Sequence, residues 1–293
     1  MGFGRYRFRR SFGNVSSQFR GATPKHYPLF SGLLDQYGGA AAAYSLRALS
    51  AGWLAGDVVE VRRSSDSTTQ DFTASEITNG DLETFCGAGD GFVSTWYDQS
   101  GNANNATQAT TTSQPKIVSA GALVVGGIDF DGFNDGLSTT GQVLTTSAFF
   151  ATSVVQHDTG VIGANGESVC GQYELSTSGR FHLSANASNE YSFFANATDS
   201  IVGLTTGAVG TSQTLISIDG DGSNAEIWRD GTSKATDTYS GFTPAMLDFT
   251  IGIDSSGQRE FDGKIAEVIV YDSSQSANRV GIETNINDAY SIY

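Results

Sequence analysis

Carboxylates, amides, a hydroxyl and aromatic rings crowd into one stretch, Thr95–Ala109, which reads TWYDQSGNANNATQA. Trp96 and Tyr97 run into Asp98, Gln99 and Ser100, and Gly101 is followed by Asn102, Asn104 and Asn105. These are the groups a protein uses to hold a sugar. They are also the groups a tight turn uses on its own backbone, since Asp and Ser bond nearby amides and Gly accepts a left-handed conformation. Asp98-Gln99-Ser100-Gly101 is read here as a structural turn with Trp96 under a sheet. Sugar binding by Trp96 is the alternative. Elsewhere, His26, His157 and His182 lie far apart with no H-x-x-x-H spacing, so no zinc site is expected. His157-Asp158 offers an acid/base pair, but a loop after a strand is the preferred reading. In IDGDGSNAEIWRD, Asp219, Asp221, Ser223 and Asp230 loosely follow a calcium loop, yet Asn224 stands where the sharp turn wants Gly. A hairpin is expected there. Neither G-x-S-x-G nor a phosphate loop occurs.

Something must position these groups, and composition narrows what. The chain has 293 residues, 36 of them Gly and 4 Pro. Small polar residues separate short apolar runs, the pattern of many strands and many turns. No run is long enough for a transmembrane helix. The N-terminus is basic but has no apolar core segment, so no secretory signal is expected. Two cysteines, Cys86 and Cys170, are no disulfide framework. The charge is divided. Arg5, Arg7, Arg9, Arg10, Arg20 and Lys25 all precede the first acid, Asp35, whereas the whole chain carries a net charge of −15. A basic arm on an acidic body implies two different partners. The body is not expected to bind nucleic acid by counterion release.

Residues 1–34 form the expected arm. Arginines interleave with Tyr6, Phe8, Phe12 and Phe19, the residue types that anchor protein interfaces. Residues 35–293 are expected to form one domain. AAAAYSLRALSAGWL reads as one short helix, VVEVRRSS as a strand, DLETFCGAGDG as a short helix ended by Gly, and GFVSTWYDQSG as a strand. From residue 123 a meander follows: ALVVGGIDFDG, AFFATSVVQHD, GRFHLSA, EYSFFANA, TLISIDGDG, AEIWRDG and DFTIGID. Asp230-Gly231 is a hairpin turn. KIAEVIVYD is apolar on both sides and suits a central strand, with Ala266, Val268 and Val270 alternating against Ile265, Ile269 and Tyr271. The last segment, SSQSANRVGIETNINDAYSIY, starts with serines suited to cap a final helix. Two facing antiparallel sheets bury such a set of strands.

Three stretches together carry a family resemblance: AAAAYSLRALS…VVEVRRSSDSTTQDF, FCGAGDGFVSTWYDQSGNANNATQATTTSQPKIV and GIDFDGFNDGL. They resemble the catalytic-domain sandwich of family 54 α-L-arabinofuranosidases and relatives in bacteriophage virion and tail proteins. The stretch FDGKIAEVIVYDSSQSANRVGIETNINDAY is similar to the closing strand and helix of concanavalin A-like, laminin-G-like domains. The resemblance implies an all-β fold, a concanavalin A-like β-sandwich (jelly roll) with an extended N-terminal arm and a short C-terminal helix. It implies that the first and last strands are neighbours, with Phe130-Asp131-Gly132 close to Phe261-Asp262-Gly263. In that family the nucleophile is a Glu shortly after two adjacent cysteines, and the acid/base is an Asp in a Gly-Ile-Gly-Gly-Asp-Asn-Ser stretch. Here Glu174 follows a lone Cys170 out of register, and Gly252-Ile253-Asp254-Ser255 lacks two glycines. Asp254 and Glu174 are therefore the alternative catalytic pair, and no catalytic residue is committed. The family's disulfide partners are missing, so both cysteines are expected reduced, as in a reducing cytoplasm.

The expectation is a bacteriophage virion structural protein, a capsid decoration or fibre assembled in the host cytoplasm. Arg5, Tyr6, Arg7, Phe8, Arg9, Arg10, Phe12 and Phe19 dock it on other virion proteins, and it stands on the particle as a homo-oligomer. The jelly roll faces outward and can touch host surface glycans. No nucleic acid, membrane insertion or cofactor is called for, save a rim calcium ion of the laminin-G type. The alternative is a retaining glycosidase of arabinofuranosidase type acting on surface polysaccharide.

Overall fold

The computed structural model describes residues 30–172, 179–196, 204–239 and 244–293. The arm residues Arg5 to Phe19, His26 and Glu174 lie outside the described residues. Ser31–Tyr293 forms one compact unit. The unit therefore starts a few residues before the expected boundary at 34/35, which falls inside the short helix α1 (Leu33–Gln36), and Leu33 is fully buried.

The first half contains β1 (Ala42–Ser45), β2 (Asp57–Arg63), β3 (Thr69–Thr73), α2 (Ala74–Asn79), α3 (Asp81–Cys86), β4 (Gly91–Trp96), β5 (Ala106–Thr107), β6 (Lys116–Ser119), β7 (Ala122–Leu123), β8 (Ile128–Asp131) and β9 (Leu137–Ser138). The second contains β10 (Ala148–His157), β11 (Glu167–Gln172), β12 (Arg180–Ala185), β13 (Glu190–Asn196), β14 (Leu204–Ala208), β15 (Thr214–Asp221), β16 (Asn224–Arg229), β17 (Thr232–Thr238), β18 (Thr250–Ile251), β19 (Asp262–Tyr271) and α4 (Arg279–Tyr290). One layer runs β1-β19-β10-β15-β16-β17. The facing layer runs β9-β18-β11-β12-β13-β14. Strand β5 links β4 to β9, and β8 links β6 to the start of β19. The two facing antiparallel layers are those expected, and their ladder is continuous and nearly closed on itself, a mostly β jelly roll. Phe149, Phe181 and Phe193 fill the space between the layers, with ring centroids 5.1–5.3 Å apart.

Strand β19 is central, as its two-sided apolar pattern implies. It has β10 on one edge and β8 and β1 on the other. The first and last strands are neighbours, and Asp262 faces Asp131 while Gly263 faces Phe130. The alternation differs from the expected one at Ala266. Ile265, Val268 and Val270 enter the main core, and Ala266, Ile269 and Tyr271 enter a second core with Leu33, Ile282 and Ile286. The register slips where Val154 faces Glu267 and Val155 faces Ile265, so Ala266 is the extra residue of a bulge and the side-chain phase inverts there.

The expected helix at residues 40–54 is not one. Ala42–Ser45 is a fully buried strand paired with β19, followed by a short 3-10 turn at Ala51–Trp53. Tertiary pairing overrides the helix propensity of alanine, whose small side chain suits a strand closed in on both faces. Helix α3 ends at Gly87 as expected, and α4 closes the chain. Its N-cap is Asn278 without a side-chain cap bond, and Ser274 instead donates to Asp219 at 2.7 Å. Asp230-Gly231 makes the β16–β17 hairpin with φ of 51° and 71°, the positive values a two-residue turn needs. Among the described residues no helix is long and apolar enough to cross a membrane.

Candidate functional site

The Asp98 loop serves the fold. Asp98 is 1% exposed, and its Oδ1 accepts the N–H of Ala43 at 2.8 Å and of Ser100 at 2.9 Å. Its Oδ2 accepts Ser100 Oγ at 2.8 Å and Asn104 N at 3.0 Å. Gln99 accepts Leu49 N and donates to the carbonyls of Ser45 and Arg47. Gly101 sits at φ 90°. Every one of these groups is bonded to backbone or to the loop itself, so the stretch clamps β1 and its continuation to β4. Trp96 is fully buried with its ring 5.8 Å from Tyr44, out of reach of any sugar.

Asp254 is also held by its own loop. It follows β18 and is 4% exposed. Its Oδ1 accepts Ser256 N at 3.0 Å, Ser256 Oγ at 2.8 Å and Gln258 N at 3.0 Å, and Arg259 Nη1 lies 3.1 Å from Oδ2. Burial pushes this carboxyl up, but the bonds from Gln258, Ser256 and Arg259 outweigh burial and hold it below the ordinary range. A general acid needs the opposite.

The loop borders a buried polar row. Phe181, Leu183, Tyr191 and Phe193 on β12 and β13 enter the main core, so the alternate positions His182, Ser184 and Ser192 face the other way. Ser184 Oγ is 3.0 Å from Ser192 Oγ, and His182 Nε2 is 3.1 Å from Ser168 Oγ of β11. Ser168 N donates to Arg259 O at 3.0 Å. Burial pushes the His182 imidazole down to about 3, with Arg259 and Arg180 adding and Asp254 opposing. The ring is neutral over the whole physiological range.

On the other side of the same loop lies an open cleft of about 290 Å³, lined by Asn165, Glu167, Gln258, Glu260 and Asp262 among others. Glu167 Oε2 accepts His157 Nδ1 at 2.9 Å and Asp262 N at 3.2 Å. The His157 ring is 4.6 Å from Phe261 and 5.3 Å from Tyr191. Burial, then the Glu167 and Asp158 carboxylates, push Asp262 above the ordinary range. His157 and Asp158 do not pair: His157 belongs to Glu167, and Asp158 bonds Lys264. The His157–Glu167 pair leaves no local mark in the sequence, because ten residues and a strand reversal separate its members. The cleft presents carboxylates that accept hydroxyl protons beside amides that can donate or accept.

Among the described residues no group of three or more His, Cys, Asp or Glu side chains is placed to hold a metal ion. In the calcium-like stretch, Asp221 accepts the N–H of Ser223 and Asn224, and Asp219 accepts Ser274 Oγ and Gln275 N. It is the β15–β16 hairpin. Cys86 and Cys170 are both free thiols, buried on α3 and β11.

An antiparallel jelly roll with its last strand, β19, between its first, β1, and β10 is of the concanavalin A-like class. Residues 126–281, more than half of the sequence, match the family described as Concanavalin A-like lectin/glucanases superfamily, and the chain belongs to it. Residues 36–124 match a second description, Alpha-L-arabinofuranosidase B, catalytic. Among solved structures it is similar to a GH54 α-L-arabinofuranosidase soaked with a cyclic sulfate inhibitor, with TM-score 0.62 and 16% identity. It is similar to a mutant GH54 α-L-arabinofuranosidase soaked with 4-nitrophenyl α-L-arabinofuranoside, with TM-score 0.62 and 18% identity. An arabinofuranosidase complexed with arabinofuranosyl-α-1,2-xylobiose gives TM-score 0.60 and 17% identity. Each covers 87% of this chain, and this chain spans 64% of each. At such identities the likeness is one of fold. No curated protein matches the sequence.

Proposed function

We propose that the chain is a glycan-recognising jelly roll built like an arabinofuranosidase catalytic domain, binding polysaccharide at the cleft beside residues 254–262. The observation that carries this reading is the cleft itself, where Glu167, Glu260 and Asp262 stand with Asn165 and Gln258 around an open space of about 290 Å³. Carboxylates and amides at a concave surface are the groups that bond sugar hydroxyls. Binding without hydrolysis is favoured because Asp254 is paired with Arg259 and cannot keep a proton near neutral pH. The test is retention on immobilised arabinan, arabinoxylan and capsular polysaccharide. The chain should be retained by at least one, and Glu260→Ala with Asp262→Ala should abolish retention without lowering the melting temperature. Retention that the double variant leaves intact would remove this cleft from the reading.

A second reading, hydrolysis of arabinofuranosides, is favoured by the match of residues 36–124 and by Asp262 lying raised beside Glu167. A retaining mechanism needs two carboxyl groups about 5–5.5 Å apart, one of them protonated. Turnover of 4-nitrophenyl α-L-arabinofuranoside, lost in Asp254→Asn or Asp262→Asn, would establish it. We further propose a setting on a bacteriophage virion, on the resemblance of the three stretches to virion and tail proteins and on the divided charge, with the basic aromatic residues 1–34 as the docking arm and the acidic body displayed outward.

A further inference from the structure

A second cleft, of about 450 Å³, is lined by Phe92 of β4, Thr111, Gln114, Lys116 of β6, and Asp131 and Asp135 at and beyond the end of β8. Asp135 stands out among the lining residues. It is only 7% exposed, its Oδ2 accepts Asp131 N at 3.1 Å, and its Oδ1 meets no hydrogen-bonding group among the described residues. The neighbouring acid is fixed differently, for Asp131 Oδ1 accepts the N–H of Phe133 at 2.9 Å and of Asn134 at 3.2 Å.

The charges around Asp135 come from four elements. Asp131 and Asp129 lie on β8. Lys116 on β6 is 3.1 Å from Asp90, and Lys264 on β19 is 3.3 Å from Asp129. Arg62 on β2 donates to Gln114 at 2.7 Å and covers the Phe92 ring at 4.8 Å. The basic groups are thus engaged elsewhere. Burial, then Asp131 and Asp129, push Asp135 up to about 7. Near neutral pH the acid carries a proton for a large share of the time, and its Oδ1 has no acceptor for it among the described residues. A carboxyl proton on an oxygen that lines the cleft is available to a ligand oxygen there.

We propose that this cleft is a second sugar-binding subsite, in which the Asp135 carboxyl donates its proton to a sugar oxygen while Gln114 and Thr111 flank the ligand. It rests on the reading of the chain as glycan-recognising and assigns that reading a second contact point. A neutral polyol fits better than an anion, which the aspartates would repel, and a volume of this size holds one or two sugar rings.

The test uses the full chain labelled with 13C at the aspartate carboxyls, with arabinofuranosyl-α-1,2-xylobiose and arabinotriose as probes. Either saccharide should shift the Asp135 resonance and raise its titration midpoint, because the bound form keeps the proton. Affinity should fall about tenfold between about pH 6 and about pH 8.5. Asp135→Asn, whose amide can still donate, should bind and lose the pH dependence, and Asp135→Leu should bind at least about tenfold more weakly. An Asp135 resonance unmoved by a saccharide that the chain binds, or pH dependence surviving in Asp135→Asn, overturns the proposal. If binding persists and depends on Glu260 and Asp262 alone, the second subsite is wrong and the glycan reading stands. If neither saccharide nor any polysaccharide binds, both fall. Should Asp135→Leu not fold, the wild-type resonance and Asp135→Asn decide.

Discussion

Arg259 Nη1 lies 3.1 Å from Asp254 Oδ2, five residues back along one loop, and the guanidinium also donates to Asn165 O at 2.8 Å. The pair ties the loop after β18 to the loop before β11. It gives the one acid with a family motif a structural role. Asp254→Asn should lower stability at neutral pH by about 1–3 kcal/mol, since the arginine loses its charged partner. The folded-state value of Asp254 lies below that of an unfolded aspartate, about 3.9. Its contribution is therefore present above about pH 4 and is lost as the pH falls through the folded value. Urea melts across the acid range should converge for wild type and variant at the lowest pH. Parallel curves with no convergence would contradict the assignment.

Asp135 has the opposite sign. Its folded value of about 7 exceeds the unfolded value of about 3.9, so the folded state holds the extra proton between them. Stability falls as the pH rises from about 4 to about 7 and is level above, by at most about 4 kcal/mol before solvent screening reduces it. Asp135→Asn removes that dependence. The variant should be more stable than wild type at about pH 8 and no more stable at about pH 4. Denaturant titration at the two pH values reads this directly, and a variant destabilised at both would show that Asp135 is ionised and satisfied in the fold.

Much of the body was legible because it is written in period two. KIAEVIVYD is apolar on both faces and became the central strand, and Asp230-Gly231 carries the turn chemistry of its hairpin. The segment at residues 40–54 was not legible, because alanine speaks for helix locally. Only the distant pairing of Ala42 with Val270 and the grip of Asp98 on Ala43 N make it a strand. The bulge at Ala266 is likewise set by the partner strand β10 and leaves no local mark. At the candidate site, Asp254 was visible through a motif, but Arg259 as its partner was not. Glu167 and His157 meet only because β10 and β11 fold back near the start of β19, and Asp135 acquires its character from burial.

Asp98→Ala should cost about 3 kcal/mol or more, because four bonds from Ala43 N, Ser100 N, Ser100 Oγ and Asn104 N lose their acceptor at a site 1% exposed. For a body of this size that corresponds to a fall of about 6–12 °C in melting temperature. Glycan retention, measured below the new transition, should be unchanged. An unaltered melting temperature with lost retention would return the loop to sugar binding.

Both cysteines should titrate as thiols. Cys86 is pushed up to about 11 and Cys170 to about 12, each chiefly by burial, so neither forms a thiolate readily at neutral pH. Native protein should react slowly with a thiol reagent. Denatured, unreduced protein should yield both thiols of Cys86 and Cys170. Recovery of none would mean that they had paired.

Deleting residues 1–30 should leave a folded body. Ser31–Tyr293 is compact by itself, and Leu33, the first buried hydrophobic residue of the described chain, is retained. The melting temperature should therefore move by no more than about 2 °C, less than 1 kcal/mol for a domain this large. What should change is assembly. The deletion removes Arg5, Tyr6, Arg7, Phe8, Arg9, Arg10, Phe12 and Phe19, and with them the cationic and aromatic anchors a docking segment uses. On the proposed virion setting, the full chain added to particles that lack it should co-sediment with them and the truncated chain should not. A second variant, with Arg7, Arg9 and Arg10 changed to Glu, separates charge from length: it keeps the full length of the arm, and the three new acids cancel the charge of Arg5, Arg20 and Lys25. Loss of incorporation in both variants, with glycan retention intact in both, is the expected result. Incorporation of the truncated chain at full copy number would end the docking role.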